Sequence, residues 1–346
     1  MKVLTIYDKS GPKYHRCLLP AYLMDGVELV VNHTIKEEQL KDIDILFFNR
    51  FPPGTSVKDL LALRDKYGFK IVADNDDYWD LGSTHVLHSV YKNHGLADWI
   101  KDCIHIADHC TVTHERLAER VAEINPNVTI LPNAIPQFGQ FLAKKEGCAM
   151  TRLYWSGSST HRQDMELLRH PLKRFNFPNI MMVMAGYDKR SDDYRAMASA
   201  FTNGARLRHS LIEFLPVDSY YYAYSRCDIA LIPLVHSNFN KYKSNLKVLE
   251  AANIAAPVIV SRVHPYLDFP EDLVNYVDNS RDWFDHVKML LNNPDYAKEQ
   301  GLRLQEYCRR VYNFEKINKQ RRDIFYAITG KQREAEEVRK TDPALA

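Results

Sequence analysis

LIPLVHSNFNKYKSNLKVLEAANIAAPVIVS, residues 231–261, predicts a strand, a polar loop, a helix and a second strand. An apolar run ends at Pro233, and Ser244 is expected to cap a helix that continues to Asn253. The apolar run at residues 257–261 predicts the second strand. Continuous apolar strands separated by a helix are typical of a parallel sheet that is covered on both faces.

The same alternation extends over the rest of the chain, so we predict an α/β protein with two parallel sheets. The strands expected in the first half are residues 2–7, 27–32, 43–49, 69–74, 109–112 and 128–131. Those expected in the second half are residues 151–156, 180–186, 211–215, 229–233 and 257–261. Helices expected between the strands include residues 57–67, 95–107, 115–124, 164–175 and 219–225. The polar stretch at residues 138–149 predicts a linker between two domains. We therefore expect domains at residues 1–142 and 148–312, followed by a C-terminal helix and a charged tail at residues 313–346.

The composition is that of an ordinary soluble globular protein. It has 346 residues, 45% of them hydrophobic, and a formal net charge of +2, which argues neither for nor against a polyanionic partner. Its six cysteines form no CxxC pair and read as reduced thiols. The opening MKVLTIYD resembles a strand rather than a signal peptide, and no apolar run approaches the roughly 20 residues of a membrane span. A cytoplasmic protein without an integral membrane segment is expected.

Charged residues around the helix start at residue 244 predict an anion site. Free backbone amides at this helix start, together with the helix dipole, favour a phosphate. Lys243 and Lys247 are cations at a helix N-terminus, where cations are unfavourable unless an anion joins them. Glu250, two turns into the helix, is placed to accept hydrogen bonds from a ribose diol. The alternative is a solvated amphipathic helix with a Glu–Lys pair.

A second loop is expected to face the same ligand. The segment LYWSGSSTHRQD, residues 153–164, places Gly157, Ser158, His161 and Arg162 directly after a predicted strand. In open α/β sheets, ligands bind beyond the carboxyl ends of the strands. The flexible turn can offer backbone amides, and the two basic side chains can meet a diphosphate. An ordinary helix cap at Thr160 is the alternative.

Further candidate site residues lie in the first half of the chain. We expect the two sheets to face each other across a cleft, with these residues on the side of the first sheet. Gly11, His15 and Arg16 follow the first strand, and Arg50 ends the third. The segment FKIVADNDDYWD, residues 69–80, ends a buried strand in several acids. Its Asp-Asn-Asp tripeptide at residues 74–76 matches a DxD metal motif superficially, but the phosphate features lie in the second half.

We therefore assign no metal, and we expect Asp76 and Asp77 to orient an acceptor hydroxyl or to cap the next helix. His85 follows them in a polar loop as a further candidate on the acceptor side.

Residues 242–250, YKSNLKVLE, resemble the donor-binding element of GT-B glycosyltransferases, particularly the retaining type called family 4. In that family a Glu, seven residues and a second Glu precede a small-residue turn, a Pro and an apolar strand. Glu250 matches the second Glu, which implies ribose recognition, and Tyr242 occupies the position of the first. The resemblance also implies that backbone amides meet the phosphates at the matching positions Ser244, Asn245 and Leu246. Here the motif has the form KSxxKxxE.

The resemblance implies two Rossmann-like domains facing a cleft and a C-terminal helix that returns to the first domain. It also implies a hexosyl- or pentosyltransferase that moves a sugar from a nucleoside diphosphate sugar to a hydroxyl, with retention. Lys243 would stabilise the leaving diphosphate in place of a metal, so no cofactor is expected. We expect a glycan or a hydroxymethylated DNA base as acceptor. The alternatives are a nucleotide-sugar epimerase of the same fold and a non-catalytic nucleotide-sugar-binding module.

Overall fold

The computed structural model describes residues 1–136, 148–202 and 207–332, which form two parallel β-sheets of six strands each. The first sheet has the order β2-β1-β3-β4-β5-β6 and consists of β1 (Lys2–Ile6), β2 (Glu28–Asn32), β3 (Ile45–Asn49), β4 (Lys70–Asn75), β5 (His109–Val112) and β6 (Val128–Ile130). The second has the order β12-β11-β10-β7-β8-β9 and consists of β7 (Thr151–Ser156), β8 (Ile180–Tyr187), β9 (Arg208–Glu213), β10 (Ile229–Ile232), β11 (Val258–Ser261) and β12 (Asn275–Val277). The predicted α/β fold with two parallel sheets is confirmed.

Twelve α-helical segments connect the strands in the described residues. In the first half they are α1 (Gly11–Lys13), α2 (Leu19–Tyr22), α3 (Val57–Tyr67), α4 (His88–Asn93), α5 (Leu96–Ile106) and α6 (Glu115–Ala122). In the second half they are α7 (Arg162–Arg174), α8 (Asp192–Thr202), α9 (Leu246–Asn253), α10 (Ser280–Asn292), α11 (Pro294–Val311) and α12 (Phe314–Thr329). Local chemistry fixes several ends: the Ser56 side chain accepts from the amide of Asp59 at the start of α3, and Gly68 adopts φ 78° at its end.

The strand order determines where a ligand can bind. The second sheet is doubly wound, because the chain runs outward from β7 to β9 and then returns to build β10 to β12 on the other side of β7. The first sheet reverses direction in the same way between β1 and β3. Ligands of such sheets bind at this reversal, beyond the carboxyl ends of the strands. The loops after β1, β7 and β10 are therefore the ones to inspect.

The C-terminal helix α12 packs on the first sheet, as predicted. The ring of Phe325 contacts that of Phe47 on β3 edge to face, with centroids 5.2 Å apart. The Asn318 side chain donates a 3.0 Å hydrogen bond to the carbonyl of Pro20. α12 thus ties the C-terminal end of the chain to the first half.

Several elements differ from the prediction. β9 begins at Arg208, three residues before the predicted start, because an edge strand tolerates polar residues that an apolar pattern excludes. β12 has only three residues and too short an apolar run to be recognised. Residues 11–22 are helical with a π-helical turn at Tyr14–Leu18, which accommodates the missing N–H of Pro20. The predicted helix at residues 219–225 is a 3₁₀ helix, Tyr220–Arg226.

Two predicted segments lie wholly or largely outside the described residues. They are the linker at residues 138–149, of which only the last two residues are described, and most of the charged tail after Gly330. Across the described ranges, every helix is too short or too polar to cross a membrane.

Candidate active site

A cleft of about 520 Å³ lies where the reversal points of the two sheets face each other. It is lined by the loops after β1, β4 and β6 on one side and by the end of β8 and the loops after β7, β9 and β10 on the other. The predicted site residues that line it are Gly11, His15, Arg16, Asp76, Asp77, Gly157, Ser158, His161, Lys243, Ser244, Leu246, Lys247 and Glu250. The fold therefore brings together residues separated by up to 239 positions in the sequence.

Four other predicted residues, all within the described ranges, do not line the cleft. Arg50 lies behind the aspartates and is bonded to them, as described below. His85 packs its ring against Phe239, with centroids 4.9 Å apart. Arg162 is exposed at the first residue of α7, and Asn245 is the buried N-cap residue of α9.

The start of α9 differs from the prediction in one detail. The N-cap residue is Asn245 rather than Ser244, and its side chain makes no capping hydrogen bond, so the first amides of the helix are not used by a cap. The Ser244 hydroxyl instead accepts a 2.8 Å hydrogen bond from the Asn133 side chain, which belongs to the segment after β6. Ser244 is therefore tied to the first half of the chain.

Two cations lie beside this helix start. The ammonium of Lys243 lies 5.4 Å from the ring centroid of Phe239, and that of Lys247 lies 5.6 Å from the ring of Trp155. Burial and the neighbouring Lys243 lower the pKa of Lys247 to about 8. Two ammonium groups in a buried cleft repel each other, and an anion between them would relieve that repulsion.

His161 is held neutral beside the lysines. Its Nδ1 bonds to Asp164 at 2.8 Å, and the other oxygen of Asp164 accepts from the amide of Val235 at 2.9 Å. Burial, followed by the charges of Lys247 and Lys243, lowers the pKa of His161 to about 3. Because a carboxylate only accepts, Nδ1 carries the proton and Nε2 is left as an acceptor.

Two neighbouring glycines form a backbone floor in the cleft: Gly157 directly after β7 and Gly186 near the end of β8. Gly186 adopts φ 92°, and a Cβ there would lie 2.6 Å from the carbonyl oxygen of Gly157. A Cβ on Gly157 would lie 2.9 Å from the Trp155 ring. Only glycine fits at either position, so the ligand meets peptide backbone here.

Glu250 lies deep in the cleft, 5% exposed, with two tyrosine hydroxyls directed at it. Tyr220 donates to one carboxylate oxygen and Tyr224 to the other. Burial raises the pKa of Glu250, although these bonds and Lys247 oppose the rise. A carboxylate has about four acceptor sites, so two remain for ligand hydroxyls.

An aspartate pair forms the opposite wall. Arg50 donates from Nε to Asp76 at 3.2 Å and from a terminal nitrogen to Asp77 at 3.0 Å. Burial opposes ionisation of Asp76, but Arg50 and Asn49 hold its pKa below the usual value, whereas burial and the charge of Asp76 raise the pKa of Asp77. The two carboxyls thus differ in proton affinity. Arg50 itself adopts φ 63°, a strained conformation for a non-glycine residue.

Asp74, the first residue of the DxD-like tripeptide, does not face the cleft. It is fully buried and forms an ion pair with Arg16, whose Nε and terminal nitrogen both donate to it. Arg16 also donates to Asn133 and to the carbonyl of Leu131, so the guanidinium predicted to face a ligand is used inside the protein. Among the described residues no group of three or more His, Cys, Asp or Glu side chains has the arrangement of a metal site.

Tyr242, at the position of the family's first Glu, points away from the cleft. Its ring stacks on Tyr78 of the first half, with centroids 4.3 Å apart. Its hydroxyl accepts from Arg120 at 3.1 Å, and its carbonyl accepts from His114 at 2.9 Å. Tyr242 therefore contacts the first half of the chain and does not line the cleft.

The functional residues that sequence reasoning missed are the tyrosines around Glu250. The segment at residues 218–226, DSYYYAYSR, carries them, and the hydroxyls of both Tyr220 and Tyr224 reach Glu250. That density of tyrosines, directly after a strand of the donor half, is a signal that sequence alone contains.

Comparisons with known proteins agree with this geometry. Residues 162–321 match the family model described as glycosyl transferase-like. No curated protein sequence matches the chain significantly. Solved structures that resemble it include sucrose-phosphate synthase from Thermosynechococcus elongatus, with a TM-score of 0.69, 12% identity and coverage of 95% of this chain and 99% of that one.

Two further matches contain nucleotides. HepE of Anabaena, solved with UDP and glucose, has a TM-score of 0.66, 13% identity and coverage of 94% and 100% of the two chains. An alpha-glucosyltransferase, solved with UDP and a 13-mer DNA containing a HMU base, has a TM-score of 0.65, 13% identity and coverage of 94% and 99%. The chain therefore has the GT-B fold of these structures, and its residues 162–321 match the family model described as glycosyl transferase-like.

Proposed function

We propose that this protein is a glycosyltransferase that moves a hexosyl or pentosyl group from a nucleoside diphosphate sugar to an acceptor hydroxyl. One observation carries the proposal: Lys243, Lys247 and Glu250 line one cleft at the start of α9, opposite Asp76 and Asp77. The cleft then contains cations to bind a diphosphate, a carboxylate to bind a ribose and acids to bind an acceptor. The complexes of HepE with UDP and UDP-glucose make a uridine diphosphate sugar the first donor to test.

In this proposal the lysines and the helix start stabilise the leaving diphosphate. Negative charge develops on the phosphate as the glycosidic bond breaks, and cations already in place lower that barrier by several kcal/mol. The charge of Lys243 acts on Asp77 of the opposite wall, and we therefore assign Lys243 to the phosphate next to the reacting bond. No metal is required for this step, because the pair of ammonium groups supplies the compensating charge.

The aspartate wall would bind the acceptor. Asp76, kept ionised by Arg50, is suited to accept a hydrogen bond from the attacking hydroxyl. Asp77, with its raised pKa, is suited to exchange a proton at the same place. His85 would border the acceptor entrance rather than touch the reacting atoms.

Retention of configuration follows only from the resemblance to family 4 and is part of the proposal. For the acceptor we propose a glycan or a hydroxymethylated DNA base; the DNA complex of the structurally similar alpha-glucosyltransferase supports the second of these classes. The six cysteines are free thiols, which fits a cytoplasmic enzyme.

The test is a mass-spectrometric screen of purified protein with a panel of nucleotide sugars, each combined with glycans and with DNA that carries hydroxymethylated pyrimidines. A mass gain of one sugar on an acceptor supports transfer and identifies both substrates. A new nucleotide sugar formed without acceptor would instead indicate an epimerase. Donor binding without any product would indicate a binding module.

Two variants then test the site. Glu250→Ala should weaken donor binding by roughly 10- to 100-fold, because a hydrogen bond to a charged group contributes about 1.5–3 kcal/mol. Lys243→Ala should mainly lower kcat, because the phosphate charge is left uncompensated. Lys241→Ala is the matched control, since its ammonium contacts Asn238 and does not line the cleft. Equal, negligible effects of the first two variants would refute the site.

A further inference from the structure

His15 of the first half is inserted between two tyrosines of the second half. The ring is buried, 8% exposed, and meets Tyr220 and Tyr221 edge to face, with centroids 5.8 Å away in both cases. Its Nε2 lies 3.1 Å from the Tyr220 hydroxyl and its Nδ1 lies 3.2 Å from the Tyr221 hydroxyl. Both ring nitrogens therefore bond across the cleft.

The direction of each hydrogen bond follows from Glu250. An ionised carboxylate only accepts, so the proton of the Tyr220 hydroxyl is donated to Glu250. The Tyr220 oxygen can then only accept from His15, which requires the proton of the ring to be on Nε2. Nδ1 of the neutral ring is left as the acceptor for the Tyr221 hydroxyl.

The result is one directed chain of hydrogen bonds, from Tyr221 through His15 and Tyr220 to Glu250. The ring must be neutral for this chain to exist, because a doubly protonated imidazole cannot accept from Tyr221. Burial and the adjacent Arg16 keep it neutral by lowering its pKa to about 4, against the opposing charge of Asp76. The other groups that face the ring are tyrosines, including Tyr14.

We propose that His15 is a positioning residue that orients the ribose-binding carboxylate Glu250 through Tyr220, so that nucleotide recognition by the second half depends on the first half being in place. This rests on the proposed function, in which Glu250 accepts from the ribose. Without His15, the Tyr220 hydroxyl loses the hydrogen-bond donor that fixes its orientation. The Glu250 carboxylate then gains rotational freedom, which ligand binding must remove. Affinity for the nucleoside portion falls, whereas affinity for phosphate does not.

The first experiment measures binding of UDP and of inorganic pyrophosphate by calorimetry. His15→Leu should weaken UDP binding about tenfold, in line with the loss of one hydrogen bond. His15→Gln should restore it to within about threefold, because one amide can donate to Tyr220 and accept from Tyr221. Pyrophosphate binding should be the same in all three proteins. Equal UDP affinities in the Leu and Gln variants, or a matching loss for pyrophosphate, would overturn the proposal.

A double-mutant cycle separates positioning from a general structural effect. In a Tyr220→Phe background the connection to Glu250 is already broken, so adding His15→Leu should leave UDP affinity unchanged. Additive losses would show that His15 does not act through Tyr220.

A ligand-independent measurement keeps this inference distinct from the proposed function. The ¹⁵N spectrum of the His15 ring, assigned by its absence in His15→Gln, should show a neutral ring protonated on Nε2 at pH 7. Protonation on Nδ1, or a charged ring, would overturn the chain of hydrogen bonds even if transfer is observed. If no nucleoside diphosphate binds at all, the proposed function fails. The ¹⁵N spectrum then still shows whether the chain of hydrogen bonds through His15 exists.

Discussion

The lowered pKa of Lys247 predicts that donor binding weakens as pH rises through about 8. The ammonium is present below that pH and lost above it. With a pKa of about 8, the charged fraction is about nine-tenths at pH 7 and about one-tenth at pH 9. If the diphosphate needs the charged form, affinity should fall up to tenfold between these values, which is about 1.4 kcal/mol.

The assay is calorimetric titration with UDP-glucose at constant ionic strength. UDP-glucose is preferred to UDP, because a diphosphate that is esterified at both ends does not titrate between pH 7 and pH 9. Lys247→Arg is the control, since a guanidinium keeps its charge throughout and should give a flatter profile. Any titration of the nucleobase is common to both proteins and cancels in the comparison. Parallel profiles for wild type and Lys247→Arg would refute the assignment of Lys247 as a titrating phosphate ligand.

Other predictions follow from the cleft and its walls. Asp74→Asn leaves Arg16 buried without a carboxylate and should cost about 3–5 kcal/mol of stability in urea unfolding; a cost under 1 kcal/mol would contradict the pairing. EDTA should leave transfer unchanged, and complete loss restored by Mn²⁺ would reinstate the metal hypothesis. Tyr242→Ala removes the stack on Tyr78 and should lower stability by about 3 kcal/mol, with thermal denaturation as the measurement; an unchanged melting temperature would argue against this contact between the halves.

Periodicity was sufficient to predict both sheets and most helices, because buried parallel strands need continuous apolar runs. The strand at β5 and the helix α3 were predicted at their observed bounds. The elements that were missed are those in which tertiary packing replaces local pattern. β12 has only three residues, which is too few to give a recognisable pattern. The helix that contains Pro20 includes a π-helical turn at Tyr14–Leu18, which no apolar periodicity predicts.

The candidate site was predictable where one segment carries it, and much less so where distant segments meet. Lys247 and Glu250 lie on one helix, so their spacing already places them near each other. The pairing of Arg16 with Asp74 joins residues 58 positions apart, and no local rule decides which acid a given arginine meets. The outward direction of Tyr242 likewise depends on Tyr78, which only the assembled fold brings near.

The backbone floor formed by Gly157 and Gly186 limits how this protein can change during evolution. A side chain that lines a binding site can be replaced by mutation, whereas a peptide group cannot. Any Cβ added at either glycine collides with the neighbouring loop or ring. New donor preferences must therefore arise on the walls, at positions such as Ser158 or Phe214. Relatives that handle different sugars are expected to share the floor and to diverge around it.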